Sequence, residues 1–397
     1  MKQKINQLIA NPRNIILLYA LFAVAASVQS VAAGKKTYLE GGREYNHYNN
    51  YTIFKESFFH LKNDQDLYIL YPEEHWDLYK YTPTFSVFFG LFAVTPDWLG
   101  LSLWNLLNAL VLLLAVYYLP RLGNREKGLI LLIALIELMT SMQNAQSNAL
   151  IAGLLILAFG LLEKRNYSLA ALSIVGTAFI KLFGIVGFAL FIFYPQKWKL
   201  TLYTVLWTAA LFVVPLAVVD YEQYMALLDS YRRMLAEDHS LSYGYSVMGW
   251  LHSWFSVSIS KNMVVLAGVA LFLLPLANLK AYKELGFRYL LLASVLIWVV
   301  IFNHKAESPT FVIAMAGVAL WYVNSEKNVL NTVLFIGAFV LTSLSPTDIF
   351  PRPIREEWVK PYVLKAVPCI LVWVKVLYDM ATWRAGGERG NDLGTAL

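Results

Sequence analysis

The chain has a single cysteine, Cys369, and it sits inside an apolar run. One thiol cannot build a disulfide framework and leaves no cysteine pair for a structural metal. Charge is scarce as well. Asp, Glu, Lys and Arg make up 15% of the 397 residues, against about 25% in an ordinary soluble domain. The histidines show no HExxH pair and no other ligand spacing, so neither a metal nor a cofactor is expected. No glycine-rich phosphate cradle follows a strand, which argues against a soluble enzyme fed by a nucleotide sugar. There is no internal repeat and no low-complexity linker.

Apolar sequence fills the chain instead. Hydrophobic residues make up 58%, and mean hydropathy is +0.53. A water-soluble core cannot absorb that much in one chain of this length. Lipid can, provided each crossing segment satisfies its own backbone. The expected fold class is an all-α polytopic membrane protein, one integral-membrane domain over 1–397. Apolar runs fall at 14–33, 100–119, 129–142, 148–162, 167–181, 183–194, 201–219, 262–278, 287–302, 310–323, 329–344 and 361–380. These give about 12 transmembrane helices. A further stretch, 84–95, lies between Pro83 and Pro96 and is short for a crossing, so it reads as a re-entrant or interfacial helix. The basic–apolar–small pattern at the N-terminus also describes a cleavable leader. With so many spans behind it, it reads as a retained first helix.

The net charge of +6 does not indicate nucleic acid, because the basic residues are scattered through short loops rather than gathered on one face. They fit the positive-inside bias. Lys2, Lys4 and Arg13 are followed by Arg121, Arg125 and Lys127, by Lys164 and Arg165, by Lys197 and Lys199, by Lys280 and Lys283, by Lys327, and by Arg384 and Arg389. All fall on one face if 84–95 does not cross. That face is then cytoplasmic, with both termini and a 381–397 tail, in a multi-pass protein of the cell (inner) membrane. The other face receives a large first loop, 34–82, two further segments, 220–261 and 345–360, and short connectors around 141–148, 179–184 and 302–309. Within the first loop, TIFKESFFHLKN (52–63) has the spacing of an amphipathic surface helix. Polar clusters beside hydrocarbon mark functional sites by default. Several on one face imply a single extracytoplasmic cavity.

Three pieces in this order resemble glycosyltransferase family 87, the mannosyltransferase-like membrane enzymes of the GT-C fold. They are NNYTIFKESFFHLKNDQDLY (49–68) with YKYTPTFSVFFGLF (79–92), QSNALIAGLLILA (146–158) with AFIKLFG (178–184), and the histidine connector at 303–309. The resemblance implies a GT-C-like bundle with a large first extracytoplasmic loop. It implies transfer of a mannose-like hexose from a polyprenyl-phosphate carrier to a lipid or glycan acceptor. The partners would be membrane lipids, the polyprenyl-phosphate sugar and a glycolipid or glycan acceptor. The family's first loop usually carries an acidic residue before an aromatic one, taken as the base. The matching position here is Asn50, before Tyr51, and an amide is no general base.

Such a transfer needs a carboxylate to take the acceptor's proton, cations or donors for the departing phosphate, and an apolar groove for the prenyl chain. With Asn50 unsuited, Glu56, Asp77 and Glu307 are the base candidates. Asp64, Asp66, Glu73 and Glu74 share their loop, as do His47 and His60, and a solvated face is the ordinary place for each. Lys181, at the mouth of a span, either meets a phosphate or snorkels. Gln146 and Asn148 open a span, where they bond sugar hydroxyls or the phosphate; the alternative is a helix cap from Ser147 or Asn148 with interhelical hydrogen bonds. His304 and Lys305 are phosphate candidates, the resemblance favouring His304. Glu307 is otherwise a partner of Lys305. Arg232 and Arg233 bind an anionic acceptor or pair with Asp229, Glu237 or Asp238. SYGYSVMGWLHSWF (242–255) is a sugar platform or an interfacial aromatic belt. Two other classes compete: a transporter or flippase of a lipid-linked saccharide, and a polysaccharide polymerase or ligase.

Overall fold

The computed structural model describes residues 2–38, 42–237 and 242–384. Asp238, Arg389 and the tail beyond residue 384 lie outside the described residues. Helix dominates. The described strands are β1 (Lys35–Thr37) and β2 (Glu44–Asn46), an antiparallel pair.

Each apolar run is helical over most of its length. α1 (Lys2–Ala10) leads into α2 (Pro12–Ala32), which starts on Pro12 with the Asn11 side chain accepting from the Arg13 amide. After the β pair come α3 (Asn49–Lys62) and α4 (Pro83–Ala93), then α5 (Asp97–Tyr118), α6 (Asn124–Gln143), α7 (Asn148–Glu163) and α8 (Tyr167–Ile180). The run 183–194 forms a 3-10 helix, Leu182–Phe193, rather than an α-helix. It begins where Lys181 turns extended (φ −139°). α9 (Lys197–Val213), α10 (Tyr221–Glu237), α11 (Val247–Phe255), α12 (Lys261–Leu273), α13 (Leu285–Ile301), α14 (Phe311–Asn324) and α15 (Val329–Ala338) follow. A single turn α16 (Arg352–Ile354) precedes α17 (Val367–Ala381).

Among the described residues, three helices are long and apolar enough to cross a membrane: Pro12–Ala32, Asp97–Tyr118 and Lys197–Ala217. Eight other apolar helices are shorter, Pro83–Ala93 among them. The exposed faces of α2 and α9 carry Leu17, Leu21, Val205 and Phe212, as a lipid-facing surface requires. This is a membrane protein.

Two helices form the centre. α13 and α14 are buried almost all round, which an apolar helix in a bundle core must be. They approach closely because Gly317 faces the Ala293 carbonyl, where a Cβ would come within 2.9 Å. α6 crosses beside them and carries Glu137, which meets Lys365 at 2.7 Å with both side chains fully enclosed. The connector between α13 and α14, residues 302–310, is therefore anchored at both ends in deeply buried helices.

Connectors gather at two ends. Residues 47–50, 76–81, 144–146, 181–183 and 303–310 converge at one. Residues 162–168, 193–199 and 279–283 converge at the other.

Candidate active site

The first end encloses a cavity of about 580 Å³. Of the residues singled out from sequence, His47, Asn50, Asp77, Gln146, Lys181, His304, Lys305 and Glu307 line it. Asn148 lies just behind, bonded to Lys181. Glu56 does not reach the wall.

Helical geometry explains that split. Asn50, Ile53 and Phe54 of α3 line the cavity, an i, i+3, i+4 set on one face. Glu56 is two residues past Phe54, about 200° further round. It lies half-buried near Glu74 and Asp97, and burial raises its carboxyl above the ordinary range, with Lys55 opposing. α3 is stapled at its start. Asn49 donates to the Trp76 carbonyl (2.7 Å) and accepts from the Trp76 amide (2.9 Å). Lys55 pairs with Asp97 at 2.7 Å.

Asn50 donates to the Asn144 carbonyl at 2.9 Å. Only a donor can make that bond, so the amide fits a place where a carboxylate would face a carbonyl oxygen.

Lys181 is the best-defined cation. Its ammonium donates to Gln146 Oε1 at 3.0 Å and Asn148 Oδ1 at 3.1 Å, and stands 5.4 Å from the Tyr81 ring centre. Burial pushes its pKa down to about 8, with Glu307 opposing. Gln146 and Asn148 thus hold the lysine rather than cap a helix. Ser147 makes no cap bond. The α7 amide of Leu150 is satisfied by Asn108 Oδ1 of α5 at 3.0 Å. Close α5–α7 packing allows this, with Gly153 against the backbone of Val111 and Leu112.

The 302–310 connector enters beside Lys181. Asn303 Oδ1 accepts from the Lys305 amide at 3.0 Å, and the Ala306 carbonyl accepts from the Tyr245 amide at 2.9 Å. Gly244 permits this approach. It has φ +47°, and a Cβ there would lie 2.7 Å from the His304 carbonyl. Glu307 makes no side-chain hydrogen bond or ion pair among the described residues. It also borders an adjoining cavity of about 480 Å³, lined by Ser242, Gly244, Tyr245 and Ser308 and sharing Lys80 and Lys305. Asp77 holds a left-handed backbone (φ +78°) and is bound by Lys80 at 3.1 and 3.2 Å.

Sequence reasoning passed over several lining groups. Lys36, Lys80 and Lys261 bring the cavity to five lysines, against the two carboxylates Asp77 and Glu307. Trp76 stacks on Tyr38 at 6.0 Å, giving an aromatic wall. The density of Tyr, Trp and Lys in 36–81 was the available signal.

Asp64 is exposed, and most of the other candidates have structural partners. Asp66 accepts from Ser230 (2.6 Å) and from the Tyr68 amide (2.9 Å), Glu73 pairs with Arg43, and Glu74 lies 2.8 Å from His60. Arg232 and Arg233 both reach Asp229, at 2.9 and 3.5 Å. Trp254 and Phe255 of α11 are exposed, as in an aromatic belt.

Beside the cavity runs an apolar groove of about 690 Å³ between α4, α5, α7 and α8. Thr84, Phe85, Phe179 and Ile180 line its near end, next in sequence to Tyr81 and Lys181 of the cavity. Thr82 Oγ1 bonds the Phe179 carbonyl at 2.5 Å and closes the seam.

Residues 79–346 match the model of glycosyltransferase family 87. The chain belongs to glycosyltransferase family 87. It is a glycosyltransferase of the membrane. The matched segment contains Lys80, Tyr81, Gln146, Asn148, Lys181, His304, Lys305 and Glu307. Asn50, Glu56 and Asp77 precede it. No curated protein matches the chain.

Proposed function

We propose that this glycosyltransferase moves a mannose-like hexose from a polyprenyl-phosphate carrier to a lipid or glycan acceptor. The observation that carries the reading is a lysine-rich polar cavity opening beside an apolar groove. A phosphate fits the first and a prenyl chain the second, and the donor contains both.

Lys181 and Lys305, with His304, face the donor phosphate and stabilise the charge that grows as it leaves. The Trp76–Tyr38 wall receives the sugar. Glu307 is the general base. Among the described residues no side chain hydrogen-bonds it, and it stands in the wall between the two cavities, where an acceptor entering past Tyr245 meets the donor. The acceptor oxygen forms a bond to the anomeric carbon, its proton passes to Glu307, and the bond from that carbon to the phosphate oxygen breaks. Polyprenyl phosphate departs with the electron pair. Asp77 keeps a supporting place, its charge shared with Lys80. The cavity end faces the extracytoplasmic side of a cell membrane, the chain crosses about twelve times, and both termini are cytoplasmic. The basic connectors at the opposite end support that orientation.

The test is release of polyprenyl phosphate by the purified protein in nanodiscs, supplied with labelled polyprenyl-phosphate hexoses and an acceptor lipid extract. Release is expected, and Glu307→Gln should cut it about 10²–10⁴-fold, with Asp77→Asn well less affected. Transbilayer movement of an intact sugar-lipid without release would replace this reading with a flippase.

A further inference from the structure

At the end opposite the cavity, the connectors enclose a second polar basin of about 1170 Å³. α7 separates the two. Its 16 residues span about 24 Å, from Asn148 beside Lys181 to Glu163 in the basin.

The basin is strongly cationic. Its charged residues are Glu163, Lys164, Arg165, Lys199, Lys283 and Arg288. Glu163 and Arg288 neutralise each other. Arg288 Nε and Nη2 grip the two carboxylate oxygens at 2.6 and 2.7 Å, and the Tyr194 hydroxyl adds a bond of 2.5 Å. This pair is largely buried and built into the floor. Lys164, Arg165, Lys199 and Lys283 remain, and none has an ion-pair partner among the described residues. Tyr167, Tyr203 and Tyr282 stand among them. Four like charges repel one another, so the basin favours an anion that screens them.

The basin also opens on hydrocarbon. Asn166 lines both the basin and the apolar groove. Its side chain caps α8 through the Leu169 amide (3.3 Å), which fixes it at the junction. Leu161 and Leu169 begin the groove immediately beyond. A cationic basin at the mouth of an apolar groove is complementary to an anionic amphiphile, which reaches both, rather than to a soluble anion, which reaches the basin alone.

We propose that this basin is a binding site for the headgroup of an anionic phospholipid. The lipid phosphate lies among Lys164, Arg165, Lys199 and Lys283, and an acyl chain enters the groove at its basin end past Asn166, opposite the Phe179–Ile180 end where the donor's prenyl chain enters. The proposal concerns the face remote from the transfer cavity and stands whether or not Glu307 is the base.

The experiment uses the full chain in a neutral detergent, read by native mass spectrometry and thermal unfolding. Phosphatidylglycerol, phosphatidylcholine and glycerol phosphate are titrated separately, each at low and high salt. Phosphatidylglycerol should be retained and raise Tm with the logarithm of its concentration above Kd, with the effect weakened by salt. The K164Q/R165Q/K199Q/K283Q variant should bind it at least tenfold more weakly, whereas K164R/K199R/K283R should bind as the parent does. Equal responses to phosphatidylglycerol and phosphatidylcholine would overturn the proposal in favour of a non-selective lipid coat. An equal response to glycerol phosphate would overturn it in favour of a soluble-anion site. Unchanged affinity in the glutamine variant would also sink it. Should that variant fail to fold, the lipid comparison on the parent protein still decides.

Discussion

Lys181 owes its chemistry to the two amide oxygens that hold it and the walls that enclose it. With a pKa near 8, it is largely protonated at neutral pH and loses its charge as the pH rises through about 8. A donor phosphate held by this ammonium is gripped below that pH and released above it. Donor KM should therefore rise between pH 7 and 9, and Lys181→Met should remove the rise while increasing KM at pH 7. Initial rates of polyprenyl phosphate release across that range check both. Asn50 makes the opposite point. Its position resembles that of the family's acidic residue, yet its amide donates to the Asn144 carbonyl. Asn50→Asp exchanges a made bond for two oxygens facing each other, at a cost of about 1–3 kcal/mol. The variant should melt lower and transfer no faster; a faster Asn50→Asp enzyme would return the base to this position.

At the scale of elements, the apolar runs were legible because a membrane bundle writes its helices directly as hydropathy. The 3-10 form of Leu182–Phe193 was not, since a short run that is apolar all round has no period to distinguish helix types. The cavity was partly legible. Polar residues are so rare in this chain that those in short connectors, such as Lys181 and Glu307, stand out. Glu56 shows the limit of reading a residue by type, because α3 turns it away while Asn50 and Phe54 face in. Long-range pairs were invisible. Asn108 caps α7 from 42 residues away, and Glu137 finds Lys365 across 228. That last pair joins α6 to the turn leading into α17, and Thr342 bonds the Lys365 carbonyl at 2.8 Å. Removing one member strands the other as an uncompensated buried charge. Lys365→Met should lower unfolding stability by about 3–5 kcal/mol. The double variant E137L/K365M should recover most of it, read as Tm in detergent.

For the whole molecule, the decisive relation is that the cavity and the groove lie side by side, walled by residues adjacent in sequence. A sugar on a soluble phosphate needs only the cavity, whereas a polyprenyl donor draws affinity from both. Gly176 of α8 separates these contributions. It lines the groove midway, and a Cβ added there meets nothing within 4 Å, so a larger side chain grows into the groove and not into a neighbour. Gly176→Phe should leave the lysine-lined cavity intact and block the path of the chain. It should raise KM for long-chain donors tenfold or more. A donor analogue with a short prenyl chain should keep its KM, because it ends before Gly176. If both donors weaken together, the groove serves helix packing. If neither weakens, the chain runs elsewhere along the lipid-facing surface. The ratio of the two KM values thus distinguishes a transferase that reads its carrier along the membrane from one that recognises only the phosphate and the sugar.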